Sequence, residues 1–250
     1  MDLTILGSGT SIPSLRRASP GYLVREGTTL ALLDSGPGCL RRALEAGASP
    51  ESITHVLYSH THVDHTADLA PLLFTSHNPH APRRTPLTIA GSRGFLDFFE
   101  KFSWIYGRWL EPEGFDLTLV EVGERPLLLG DVEVAACPVP HTPSSIALRL
   151  TGLSGRTLVY SGDTDESDAL ADLARGADLL LIEASFPDEE RVEGHLTPAL
   201  AGRIAARARP GRVVLTHFYP CCDGADMLGQ LARAWDGAAS MAEDLMRIAL

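Results

Sequence analysis

Thr54-His55-Val56-Leu57-Tyr58-Ser59-His60-Thr61-His62-Val63-Asp64-His65 joins an apolar run directly to a cluster of metal-ligand side chains. Thr54 to Ser59 reads as a strand. Four of the next six residues, His60, His62, Asp64 and His65, are ligand types. From Thr66 to Phe74 the apolar positions return at helical spacing, so the cluster sits where a strand ends and an amphipathic helix begins. Residues two apart on an extended segment point to the same side. His60 and His62 therefore share a face, Thr61 and Val63 turn away, and the helix swings Asp64 and His65 toward a second nearby point. Neutral imidazole with carboxylate oxygen suits zinc, and manganese or iron as well, so the donors alone do not name the ion. The bland alternative is a polar loop with incidental histidines, and the spacing argues against it.

Working outward, three more donors each follow an apolar strand: His141 in Val139-Pro140-His141-Thr142, Asp163 in Tyr160-Ser161-Gly162-Asp163-Thr164, and His217 in Leu215-Thr216-His217-Phe218. Alone, each reads as an ordinary turn residue. Their order beside His60-x-His62-x-Asp64-His65 resembles the metallo-β-lactamase superfamily over nearly the whole chain. That resemblance implies an α/β fold, the αβ/βα four-layer sandwich, with the site at one edge. It implies two divalent metal ions, zinc first among the candidates. His60, His62 and His141 would hold one ion, Asp64, His65 and His217 the other, with Asp163 between them.

Within the superfamily the sequence is similar to ribonuclease Z in Leu3-Thr4-Ile5-Leu6-Gly7-Ser8-Gly9-Thr10, in Leu33-Asp34-Ser35-Gly36, and in the run Ala46 to Ile53. Leu181-Ile182-Glu183-Ala184-Ser185-Phe186 and Gly194-His195-Leu196-Thr197 share the likeness. It implies that His195 protonates a leaving oxygen while Glu183 holds the imidazole, a step that a carboxylate-tuned His performs near neutral pH. The plain alternative is that His195 caps the helix starting at Pro198. Two departures weigh against transfer RNA as substrate. Only 22 positions separate His141 from Asp163, too few for the protruding arm of ribonuclease Z, and Phe218-Tyr219-Pro220-Cys221-Cys222 lacks the Arg of that nuclease's Ser-x-Arg-Tyr element.

The remaining sequence bounds the answer. With 250 residues, 44% of them hydrophobic, the chain is long enough for a sizeable core, and residues 1–250 read as a single domain. Short strands and helices alternate in two mixed halves, and Leu117 to Val122, Val132 to Val139, Ser145 to Leu150 and Thr157 to Ser161 suggest a largely antiparallel run. A formal charge of −11 disfavours a partner gripped by phosphate neutralisation, so nucleic acid is not the favoured partner, although a local basic patch stays open. No apolar run is long enough for a membrane span and no leader pattern is visible, which places the protein in the cytoplasm by default with its four cysteines reduced. The aromatic-rich segment Gly94 to Leu110 reads mainly as core, with a lid or a homodimer surface as alternatives. Cys221 and Cys222 read as small hydrophobes in a turn. The arginine pairs Arg16-Arg17, Arg41-Arg42 and Arg83-Arg84 read by default as solvated surface, and Arg16-Arg17, in a loop near the end of the first strand, is the one pair that could meet an anion.

These observations lead to a metal-dependent hydrolase in which a metal-bridging hydroxide attacks a small anionic ester, a phosphodiester above all. Asp64, His195 and Glu183 are its candidate catalytic groups. Transfer-RNA 3′ processing is the second reading, and a metal-bearing binding or sensory module without turnover is the third.

Overall fold

The computed structural model describes every residue except Glu124. Six strands come first in the chain: β1 (Asp2–Gly7), β2 (Gly21–Glu26), β3 (Thr29–Leu33), β4 (His55–Leu57), β5 (Leu87–Gly91) and β6 (Leu117–Glu121). Seven follow: β7 (Leu127–Leu129), β8 (Val132–Pro138), β9 (Ile146–Gly152), β10 (Thr157–Tyr160), β11 (Leu179–Glu183), β12 (Val213–Thr216) and β13 (Ala239–Met241). A last strand, β14 (Arg247–Ala249), crosses back to the edge of the first sheet. The sheet orders are β14-β1-β2-β3-β4-β5-β6 and β13-β12-β11-β10-β9-β8-β7.

Each sheet is antiparallel at one end and parallel at the other. β14, β1, β2 and β3 pair antiparallel, and β3 to β6 pair parallel. β7 to β10 pair antiparallel, and β10 to β13 parallel. The antiparallel run expected from Leu117 onward therefore begins later, at β7. β6 instead lies parallel to β5, because the long connection through α4 (Phe95–Tyr106) returns the chain in the same direction.

Burial explains why the sheets face each other. In β3 every residue is buried, with Ala31 and Leu33 joining the core between the sheets and Leu32 joining a second core on the outer side. Such two-faced burial is what parallel strands covered by helices require. The outer core includes residues of α1 (Cys39–Glu45), of α3 (Leu69–Phe74) and of α4. The other outer face is covered by α5 (Asp168–Leu173), α6 (Pro198–Ala208) and α7 (Met227–Leu231). The result is the expected αβ/βα sandwich, in which each fully buried Leu or Ile contributes roughly 1.5–3 kcal/mol. Among the described residues no helix is long and apolar enough to cross a membrane.

The helix expected from Thr66 to Phe74 starts earlier and is split. α2 (Val63–Thr66) begins right after His62, and α3 resumes at Leu69. Pro71 lies in the first turn of α3, where its missing N–H costs nothing. The aromatic segment is only half core: Phe95 and Phe99 are buried, whereas Trp104 is 79% and Trp109 49% exposed.

Candidate metal centre

All seven expected ligands converge at the carboxyl ends of strands, the usual binding edge of an α/β sheet. β4 delivers the chain to His60, and Ser59 pins that exit by giving its N–H and its hydroxyl, each at 2.8 Å, to the two oxygens of Asp34. Because the Ser59 proton is committed to Asp34, its oxygen accepts from Nδ1 of His60 at 3.0 Å. His65, on the first turn of α2, donates Nδ1–H to Asp34 Oδ2 at 2.8 Å. His141, after β8, donates Nδ1–H to the Gly194 carbonyl at 2.9 Å. After β12, His217 holds a left-handed backbone with φ of 61°, a conformation that costs a non-glycine residue on the order of 1–2 kcal/mol. The Phe218 N–H bonded to Ser8 O and Nδ1 bonded to Ser185 Oγ, both at 2.9 Å, keep it there. Asp163 follows Gly162, where φ is +57° and an added Cβ would stand 2.8 Å from Ser59 Cβ, which leaves no room for a side chain.

With their Nδ1 atoms committed, His60, His65, His141 and His217 all present Nε2 lone pairs to one pocket. The Nε2 atoms of His60, His65 and His217 and Oδ1 of Asp163 are buried with no hydrogen-bond partner. Of the six such orphaned side-chain atoms among the described residues, these four lie together. Buried polar atoms are rarely left unsatisfied without a reason, and an ion is a reason that fits. Two donors on one tetrahedral ion sit roughly 3.3 Å apart. His141 Nε2 lies 3.1 Å from His62 Nδ1. Oδ1 of Asp163 lies 3.3 Å from Nε2 of both His65 and His217. Its other oxygen, Oδ2, lies 3.9 Å from His60 Nε2 and 3.8 Å from His141 Nε2. Asp64 Oδ2 is 3.7 Å from His217 Nε2 and 3.9 Å from His65 Nε2. The donors therefore fall into two metal-sized groups, His60, His62, His141 with Asp163, and Asp64, His65 with His217. Asp163, His195 and His217 form a third such grouping.

The pocket's electrostatics favour a cation. Burial would raise Asp163, but His217 and His65 outweigh it and hold the carboxyl well below its usual range. Asp64 is likewise held down at about 2, the burial penalty being outweighed by the neighbouring imidazoles of His217 and His65. Burial, with His65 beside it, pushes His60 well down, so its imidazole stays neutral and free to ligate. Burial also works against charge on His65, but Asp163 and Asp34 overcome it and push that imidazole well up. A proton and a divalent ion thus compete for the same lone pair, and binding the ion releases the proton. His62 is exposed and His141 only partly buried, which leaves one side open to solvent.

Glu183 and His195 lie beside this pocket. His195 Nδ1 donates to Glu183 Oε1 at 3.0 Å, and the His195 ring is centred 4.9 Å from His141 and 5.8 Å from His217. His195 does not cap α6: Ala199 N–H in the first turn is taken by Asp188 Oδ1. Sequence reasoning missed Asp34 as the anchor of His65 and Ser59, because nothing in Leu33-Asp34-Ser35-Gly36 distinguishes an anchor from a turn. The structure also corrects the reading of Arg17 as an anion contact. Its guanidinium bonds Ser8 Oγ at 2.7 Å and the Ala242 carbonyl at 3.0 Å, pairs with Asp223 and lies over the Phe218 ring. Arg17 therefore braces the segment that follows His217. Cys222 is buried and donates to the Ser185 carbonyl at 3.1 Å, consistent with a packing role.

An αβ/βα sandwich with a His/Asp pocket at its strand ends defines the metal-dependent hydrolases of the metallo-β-lactamase class. The model of the beta-lactamase superfamily domain matches residues 29–218, and the chain belongs to that superfamily, on its ribonuclease Z-like side. An uncharacterized protein of Mycobacterium leprae is 38% identical over 94% of this chain and 84% of its own length. A ribonuclease Z of Mycolicibacterium gilvum is 33% identical over 99% of this chain and 96% of its own. Among solved structures, the metallo-beta-lactamase fold protein YhfI of Bacillus subtilis superimposes with a TM-score of 0.86 at 25% identity, covering 99% of this chain and 98% of that one.

Proposed function

We propose that the chain is a dinuclear metal hydrolase of small anionic phosphodiesters or related esters. His60, His62 and His141 would hold one divalent ion, Asp64, His65 and His217 the other, with the two oxygens of Asp163 turned one to each group. Zinc is the expected metal, and the N/O donor set also accommodates manganese or iron. Such ions supply an activated water and offset the charge that builds on the attacked centre.

The chain's own groups do the rest. Asp64, ionised down to about pH 2, accepts a hydrogen bond from the attacking water and fixes its direction. His195 carries the proton that leaves with the departing oxygen as the phosphorus–oxygen bond breaks, and Glu183 holds the ring in register. The observation that carries this reading is the 3.0 Å Glu183–His195 pair set against the rings of His141 and His217. A binding module has no need of a proton donor at that place.

Small size of the substrate is supported by the segment between His141 and Asp163, which is consumed by β9 and β10 inside the sheet. The net charge of −11 points the same way. Similarity to a ribonuclease Z supports precursor transfer RNA as a second substrate class. Zinc-loaded protein assayed in parallel on bis(4-nitrophenyl) phosphate and on a precursor transfer RNA decides between them. Turnover of the small diester without defined 3′ cleavage is the expected result. Efficient cleavage of the RNA at one site reverses the ranking, and inertness toward both, with metal bound, removes the enzyme reading.

A further inference from the structure

We infer that Ser185 is a positioning residue that fixes the imidazole of His217 and ties it to the carboxylate that holds His195; this rests on the dinuclear reading above. The Ser185 side chain is fully buried, so water cannot substitute for its bonds. It lies between two loops that it also bridges through its backbone: its N–H donates to the Leu196 carbonyl at 3.0 Å, and its carbonyl accepts from Tyr219 N at 3.2 Å. At the tip, Oγ lies 2.5 Å from Glu183 Oε2 and 2.9 Å from His217 Nδ1.

Proton counting fixes the direction of both bonds. Glu183 accepts four donors: Thr164 N–H at 2.7 Å and His195 Nδ1–H at 3.0 Å on Oε1, and Ser185 O–H at 2.5 Å and Leu196 N–H at 3.1 Å on Oε2. A carboxylate so surrounded acts only as acceptor, so the single Ser185 proton points to it. The Ser185 oxygen is then left to accept, and His217 must carry its proton on Nδ1. That tautomer leaves Nε2 of His217 bare, facing Oδ1 of Asp163 at 3.3 Å and Oδ2 of Asp64 at 3.7 Å. Without the hydroxyl, nothing in this buried spot opposes the other tautomer, in which Nε2 carries the proton and cannot ligate.

The same device occurs once more across the pocket. Ser59 gives its proton to Asp34 and accepts from His60, while His65 reaches Asp34 directly. Ser185 gives its proton to Glu183 and accepts from His217, while His195 reaches Glu183 directly. Each carboxylate thus orders one imidazole itself and a second through a serine.

The test is a competition titration of zinc against a chromogenic chelator for the unaltered protein, Ser185→Ala, Ser185→Thr, His217→Ala and the Ser185→Ala/His217→Ala double variant, with thermal melts alongside. Outer partners of ligating imidazoles typically carry 10–100-fold in metal affinity. Ser185→Ala should weaken one of the two ions by about that factor and leave the other within twofold, and Ser185→Thr should restore it. In the His217→Ala background the serine substitution should add nothing. Two ions held as tightly by Ser185→Ala as by the unaltered chain would overturn the inference while the metal reading stands. Additive losses in the double variant, or equal weakening of both ions, would also overturn it. If the unaltered protein takes up no zinc at these ligands, the dinuclear reading itself fails.

Discussion

Nδ1 of His65 lies 2.8 Å from Oδ2 of Asp34, and neither side chain is exposed to solvent. The same carboxylate accepts from the Ser59 amide and hydroxyl at 2.8 Å and from the Tyr160 hydroxyl at 2.7 Å. Asp34 is therefore the point at which β3, the His60 loop, α2 and β10 are locked together. Asp34→Asn replaces one acceptor oxygen by a donor facing donors. It should cost roughly 1–3 kcal/mol of stability and about 10–100-fold in zinc affinity. Thermal melts and chelator competition read the two effects. A variant as stable and as metal-avid as the parent would show that the lock is not needed.

The proton held by His195 gives the activity a pH signature. Burial alone would lower this imidazole, but the hydrogen bond and charge of Glu183, with Asp163 beyond, lift it from 6.5 to about 8. A general acid must begin protonated, so turnover of a diester with a poor leaving group should persist to about pH 8 and fall above it. The sign for stability is the same: the contribution is full below 6.5 and is lost as pH rises through about 8. Glu183→Gln removes the lift, and the alkaline limb of kcat against pH should move down by a unit or more. An unmoved limb would assign it to another group.

His195 is close enough to Asp163 and His217 to serve as a metal donor instead, and one variant separates the roles. His195→Ala should retain both ions and keep near-parental rates on 4-nitrophenyl diesters, whose leaving group departs without help. On alkyl diesters it should lose about 10²–10⁴-fold. Loss of one zinc per chain would make His195 a ligand and leave the proton donor to be found elsewhere.

How much of this was legible in the sequence follows from where each group's geometry is determined. His60, His62, Asp64 and His65 were readable because strand and helix periodicity alone brings them together. His141, Asp163 and His217 were readable only through the resemblance, because their order after apolar strands matches the ligand order of the metallo-β-lactamase superfamily, whereas each alone reads as a turn residue. Asp34, Ser59 and Ser185 were not, since a buried hydroxyl or carboxylate acquires its meaning from partners up to 126 positions away, as Tyr160 is from Asp34. The three-residue strands β7, β13 and β14 also escaped notice. Such short segments carry almost no alternation, and a neighbouring strand's free edge creates them. Arg17 looked like an exposed cation because its aromatic seat, Phe218, lies 201 positions along the chain (218 − 17).

Gly162 should be intolerant of the smallest side chain. A methyl group there meets Ser59 Cβ at 2.8 Å and the Ile146 carbonyl at 3.1 Å, on a backbone whose φ is +57°. Gly162→Ala should lose about 1–3 kcal/mol and should also weaken zinc binding, because Asp163 is the next residue and Ser59 precedes His60. Thermal melting with and without added zinc measures both. A melting temperature unchanged from the parent would mean that the turn relaxes without moving its neighbours.

Asp163 is where the two halves of the pocket depend on a single carboxylate. Its Oδ1 faces His65 and His217 and its Oδ2 faces His60 and His141, so Asp163→Ala removes a donor from both groups at once. Each group then keeps three protein donors, His60, His62 and His141 on one side and Asp64, His65 and His217 on the other, but no anion separates the two cations. Repulsion between like charges a few ångströms apart is strong in a poorly solvated pocket, so the second ion should be expelled before the first. The expected result is fewer than two zinc ions per chain by elemental analysis and a loss of diester turnover that added zinc only partly restores. Two tightly held ions in Asp163→Ala would contradict the bridging arrangement.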